Sequence, residues 1–88
     1  MSNLGFMQST VKRIEELYKF YMTNAGKSPS EREKKEYTQL TEKLEKMQGA
    51  IGDTELYNIL IKKLKSCDLT KVTEDRRKLA KSGTNYKG

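Results

Sequence analysis

Within the first 25 residues, Leu4, Met7, Val11, Ile14, Tyr18, Tyr21 and Ala25 recur at alternating steps of three and four, the repeat of a helix with a single apolar seam. A second ladder follows at once, through Tyr37, Leu40, Leu44, Met47 and Ile51. Between them, Ser28-Pro29-Ser30-Glu31 reads as a capping box with proline at the first helical position. Asn24-Ala25-Gly26-Lys27 supplies a glycine to close the first helix, and so short a connection forces an antiparallel return. The chain is therefore expected to open as a helical hairpin, about 4–25 and 29–48. Ser2 or Asn3 is the expected first cap, with Ser9 an alternative start because Gly5 costs about 1 kcal/mol inside a helix.

Gly49 and Gly52 bracket a turn, after which Asp53 is a good N-cap for a third helix over about 54–66. Leu56, Tyr57, Ile59, Leu60, Ile61, Leu64 and Cys67 cover more than half of its circumference. Such a helix needs burial on more than one side, so it is expected to lie in the groove of the hairpin with Lys62, Lys63 and Lys65 outward. A break at Asp68-Leu69-Thr70 precedes a short fourth helix, about 73–81, with Thr73 as cap and Val72 and Leu79 as apolar contacts. Residues 83–88 show no periodicity and read as a mobile basic tail with Tyr86 as its one anchor. The expected fold class is all-α, a small helical bundle forming one domain over 1–82.

Leu, Ile, Val and Phe together make up 17 of 88 residues, at the lower edge of globular composition, and a domain this small buries a low fraction of its surface. The ladders argue against disorder, since a disordered chain has no reason to keep apolar residues in helical register. Two seams from one hairpin cover each other only in part. The composition thus points to self-association, as a dimer or higher oligomer, through Met7, Val11, Ile14, Tyr18, Tyr21, Tyr37, Leu40, Leu44 and Met47. The single cysteine, Cys67, excludes an internal disulfide, fits a reducing compartment, and reads as a small buried apolar residue. No apolar run approaches the roughly 18 residues of a membrane span, and the N-terminus lacks the pattern of a signal peptide. A cytoplasmic location is expected.

The net charge of +6 is concentrated in the last 20 residues, which hold six basic and two acidic groups. Arg76, Arg77, Lys78, Lys81 and Lys87 are the candidate partner-binding residues, because such a cluster attracts phosphates or acidic protein surfaces. The charged start of the second helix reads as a solvated face, with Glu31–Lys35 and Glu42–Lys46 pairs in the favourable order. Without histidine and with one cysteine, the commonest general base and the usual zinc and iron-sulfur ligand sets are missing. The scattered glycines form no phosphate loop, and Glu15 and Glu16, as helix neighbours, point about 100° apart. The reading is of a non-enzyme with no cofactor and no metal.

Three binding functions compete. A protein partner ranks first, for an inhibitor, immunity-type factor or adaptor, because thin apolar content with well-formed ladders leaves surface for a partner and Tyr18, Tyr21, Tyr37 and Tyr57 are of a type favoured at interfaces. Nucleic acid ranks second, through the basic C-terminal region. As a helix-turn-helix it is opposed by Glu74 and Asp75, which would be the first side chains into the groove. A membrane surface ranks last, since the third helix is needed for folding. The layout of Leu44-Glu45-Lys46 followed by the apolar helix at Leu56 to Leu64 resembles the immunity proteins of pediocin-like bacteriocins. That resemblance implies a basic, intracellular, antiparallel four-helix bundle with a C-terminal tail; small phage-encoded inhibitors share the layout as loosely, and it assigns no site residue.

Overall fold

The computed structural model describes residues 3–24 and 26–87, with side chains through Ala80. Among the described residues there are four helices, α1 (Asn3–Thr23), α2 (Glu31–Lys46), α3 (Thr54–Ser66) and α4 (Val72–Lys87), with 3-10 turns between α2 and α3 at Gln48–Ala50 and between α3 and α4 at Leu69–Lys71. No strand occurs among the described residues, and the chain is a small all-α bundle built on the expected hairpin. Ala25, the last step of the first ladder, lies outside the described residues.

Local chemistry explains the boundaries, with several corrections. Helix α1 runs through Gly5, and Ser9 donates to the Gly5 carbonyl at 3.0 Å, so Ser9 is an interior residue and not a cap. Helix α2 is capped by Ser30 rather than Ser28. The Ser30 hydroxyl accepts from the Glu33 amide at 3.1 Å while the Glu33 carboxylate accepts from the Ser30 amide at 2.9 Å, the reciprocal pairing of a capping box. Both Ser28–Glu31 and Ser30–Glu33 have the right spacing. The later one wins because the Tyr21 hydroxyl also donates to Glu33, at 2.7 Å, and the Ser28 hydroxyl is occupied by Arg76. Pro29 consequently sits one residue before the cap, where it is buried. Glu31 pairs with Lys34 at 3.4 Å, one position earlier than expected.

Helix α3 begins and ends where the sequence places it, with the Asp53 carboxylate accepting from the Leu56 amide at 2.9 Å. The break after it is a 3-10 turn capped by Asp68, which accepts from the Thr70 amide at 2.8 Å. Helix α4 follows directly at Val72 without a Thr73 cap and continues to Lys87. The backbone from Gly83 onward, expected as a tail, is thus helical to Lys87. Extending an existing helix fixes one residue per added bond and needs no new nucleus, so a segment with no apolar periodicity of its own can still continue one.

The core is formed by Met7, Val11 and Ile14 of α1, Tyr37 and Leu44 of α2, Ile51, Tyr57, Leu60 and Leu64 of α3 and its approach, and Leu69 and Val72 beyond it. Helix α1 makes its most extensive contact with α3, whereas the hairpin arms α1 and α2 splay and the turn at Leu69–Lys71 packs on both. Leu69, only 1% exposed, is the wedge. As expected, α3 packs on both arms of the hairpin, but Ile59 on its outer side stays 56% exposed.

Two tyrosines bolt α2 to α3. Tyr37 of α2 donates to the Leu64 carbonyl at 2.8 Å, and Tyr57 of α3 donates to the Leu44 carbonyl at 3.2 Å. The pairing 37 with 64 and 44 with 57 is an antiparallel register, and each hydroxyl adds a second donor to a last-turn carbonyl of the opposite helix that also accepts from its cap amide, Cys67 for Leu64 and Met47 for Leu44. Burial, with Asp68 nearby, pushes the Tyr37 hydroxyl from its ordinary 10.0 up to about 12. The unfolded chain therefore loses this proton first as pH rises. The stability it contributes is complete below pH 10 and is lost toward pH 12. Tyr37→Phe should cost about 1 kcal/mol at neutral pH and should flatten the fall in stability over that alkaline window. Urea titrations followed by circular dichroism at several pH values check both; an unchanged alkaline slope would show that another group controls it.

Candidate functional site

Helix α4 is fixed to the body through residues near its start. Val72 is 1% exposed. The Tyr18 hydroxyl donates to the Asp75 carboxylate at 2.6 Å, and burial followed by that carboxylate raises the Tyr18 hydroxyl well above its ordinary value, keeping it a donor. One residue on, the Arg76 guanidinium crosses to the end of α1. Its Nη1 donates to the carbonyls of Tyr21 and Asn24, both at 3.1 Å, and of Lys27, and its Nη2 donates to the Ser28 hydroxyl at 2.8 Å.

This arginine explains how α1 ends. No described residue adopts positive φ, so Gly26 does not form the left-handed cap that its position suggests. Instead a cation from another helix reaches these carbonyls, of which those of Tyr21 and Asn24 also accept from the Asn24 and Lys27 amides, and it meets the negative end of the helix dipole. Arg76, expected among the partner-binding residues, is thus engaged within the fold as a structural clamp.

The same contacts give the course of α4. Asp75 sits at Tyr18 and Arg76 reaches Tyr21, Asn24 and Lys27, so advance along α4 follows advance along α1. Helix α1 stops at Thr23, while α4 continues to Lys87. Beyond Arg76, α4 has passed the end of α1, and Arg77, Lys78 and Leu79 are exposed. The molecule measures 48 × 27 × 16 Å, longer than the roughly 31 Å of α1, its longest helix. Leu79, expected as an apolar contact of the bundle, is 60% exposed although it continues the stripe of Val72 and Arg76. The physical cause is the end of α1, not the pattern of α4. Lys81 and Lys87 belong to the backbone of α4, and their side chains lie outside the described residues.

A second surface feature lies between the splayed arms. A cleft of about 300 Å³ has Ile14, Leu17 and Leu69 as its floor and Arg13, Arg32, Glu33 and Glu36 as its rim. Arg13 and Glu36 form an ion pair across it. The Ser30 amide and the Tyr21 hydroxyl hold the Glu33 carboxyl below its ordinary value. These acids are committed to the hairpin, and the cleft shows no paired nucleophile and base. Phe20, 43% exposed on α1 near the cleft, stacks edge-on with Tyr21 and lies under Lys27. Leu17 and Phe20 fall off the apolar ladder, and their frequency as ordinary surface residues leaves no sequence signal to single them out.

The residues expected to form an oligomer seam go mainly into the fold of one chain. Met7, Val11, Ile14, Tyr37 and Leu44 are buried, while Tyr18, Tyr21, Leu40 and Met47 are partly buried against them. Helix α3 and the turn at Leu69 provide the cover that the hairpin arms lack, so the five buried positions cannot face a second chain without opening this core. Cys67 is half-buried at the end of α3, and burial pushes its thiol up, away from thiolate. Among the described residues, no group of three His, Cys, Asp or Glu side chains is placed to hold a metal ion, and no helix is long and apolar enough to cross a membrane.

The two features differ in what they offer. At the cleft, Arg13 and Glu36 are paired with each other and Glu33 is held by Ser30 and Tyr21, whereas α4 just beyond Arg76 carries two exposed cations, Arg77 and Lys78, and an exposed leucine, Leu79. That stretch of α4 is the candidate site. No protein-family model, curated protein or solved structure matches the chain, so the layout resemblance to bacteriocin immunity proteins gains no support and the site rests on its own geometry.

Proposed function

We propose that this is a non-catalytic binding protein whose target is another protein, engaged through α4 beyond Arg76, as an inhibitor, immunity-type factor or adaptor would be. One observation carries the reading: α4 outruns α1 and leaves Arg77, Lys78 and Leu79 exposed just past the residues, Asp75 and Arg76, that anchor the helix. Helices that present an apolar stripe in this way lay it into grooves of partner proteins.

Nucleic-acid binding is the second reading, favoured by the six basic residues among the last 20. The loss of Arg76 to the clamp weakens it, since that guanidinium already has four acceptors inside the protein. Binding to random-sequence duplex DNA and to RNA at two salt concentrations separates the two. The protein-binding reading expects affinity no tighter than general non-specific association, about 10⁻⁴–10⁻⁶ M. Tighter binding, with log K falling about 3–4 units per tenfold rise in salt, would match contacts from Arg77, Lys78, Lys81 and Lys87 and would replace the proposal with the nucleic-acid reading.

A further inference from the structure

The identity of the surface that meets α4 can be narrowed from its charge and from the position of Leu79. Resting on the protein-binding reading above, we infer that α4 docks as a helix into an acidic groove with an apolar floor on another protein, with Leu79 as the anchor and Lys78 as the charge on the groove wall. Residues 77–88 contain four basic groups and no acidic one. Two copies of this stretch laid side by side would therefore repel, which disfavours its self-pairing and calls for an anionic partner. An anionic partner made of phosphates would have no use for Leu79, which is 60% exposed on the stripe that is buried at Val72. An apolar pocket ringed by carboxylates accommodates both features, with the charges steering encounter and the leucine retaining the complex.

The helix wheel separates the roles of the two described cations. Lys78 lies about 100° from Leu79, whereas Arg77 lies about 160° away, nearly on the opposite side. A groove that receives Leu79 meets Lys78 on its wall and leaves Arg77 toward its rim. The surface is rigid at its root, because Asp75 and Arg76 are held by Tyr18 and by the end of α1. The helix is thus presented already formed, and binding need not order it.

The test is selection of a phage-displayed random peptide library against the immobilised full chain, with the selected peptides re-measured against Leu79→Ala, Lys78→Glu and Arg77→Glu. All three positions are exposed, so circular dichroism should show the helical content of each variant unchanged. The inference expects enriched peptides that are acidic with apolar positions. It also expects about tenfold weaker binding for Leu79→Ala and for Lys78→Glu, with a smaller loss for Arg77→Glu. Peptides without acidic bias, or indifferent to Leu79 and Lys78, would overturn this docking mode while leaving protein binding intact. Failure to enrich any peptide would overturn it too, and tight salt-sensitive binding to duplex DNA in the same assay would remove the protein-binding reading with it.

Discussion

Replacing Arg76 with alanine is expected to lower the melting temperature by roughly 10–20 °C, from a loss of about 2–3 kcal/mol. The guanidinium of Arg76 donates to three main-chain carbonyls and to the Ser28 hydroxyl. Those acceptors belong to the last turn of α1 and to the loop that follows, where no described glycine takes positive φ and the Tyr21 and Asn24 carbonyls each have one further donor, the Asn24 amide at 3.4 Å and the Lys27 amide at 2.9 Å. Truncation removes donors, a cation from the negative end of a helix, and the packing of a long stem in one step. Lysine should not rescue the clamp, because a point-like ammonium keeps the charge and loses the planar fork that reaches both sides of the loop. Ser28→Ala, which deletes one exposed acceptor, should cost only a few tenths of a kcal/mol, consistent with surface substitutions. Thermal unfolding of the three variants checks the ordering. Equal melting temperatures for Arg76→Ala and the parent would mean that water serves the carbonyls as well as the arginine does.

Arg76 also marks a limit of what could be read from the chain. Sequence placed it in a basic cluster because its charge is visible there, whereas its actual acceptors are carbonyls, which every residue carries and no residue type signals. Leu79 was misplaced for a related reason. Its spacing from Val72 correctly gives the stripe of α4, but exposure depends on where α1 stops relative to α4, and periodicity holds no information about where a neighbour ends. By contrast, α3 was legible to the residue, because Asp53 caps its start and its apolar positions are dense. The start of α2 was ambiguous by two residues, since Ser28–Glu31 and Ser30–Glu33 both satisfy the same capping rule.

The apparent shortage of apolar residues has a similar resolution. Counting Leu, Ile, Val and Phe leaves out Met7, Tyr37 and Tyr57, which are 0%, 5% and 5% exposed and fill the centre of the bundle. A tyrosine can occupy such a site because its hydroxyl finds a main-chain carbonyl, and Tyr37 and Tyr57 both do. The inference from thin composition to a required second chain therefore loses its premise. The break expected at Asp68-Leu69-Thr70, a 3-10 turn over Leu69–Lys71, supplies the core side chain Leu69, and three residues are too few to display any period.

Leu44→Ala is expected to remove about 3–5 kcal/mol and to leave the chain at the edge of folding. At about 0.05–0.15 kcal/mol per residue, a domain of this length has about 4–13 kcal/mol in total. Leu44 has no exposed surface, and its carbonyl accepts from Tyr57 of α3, so the site has little freedom to collapse around a cavity. Leu64→Ala should act alike, because Leu64 is equally buried and its carbonyl accepts from Tyr37. The origin of the loss is testable through its dependence on protein concentration. A core within one chain gives a urea midpoint that is the same in dilute and concentrated solution, for parent and variant alike. A seam between two chains ties folding to association, and the midpoint then rises with concentration. The burial of Met7, Val11, Ile14, Tyr37 and Leu44 inside a single chain leads to the first outcome. A midpoint that climbed with concentration in the parent and lost that dependence in Leu44→Ala would instead return these residues to an interface.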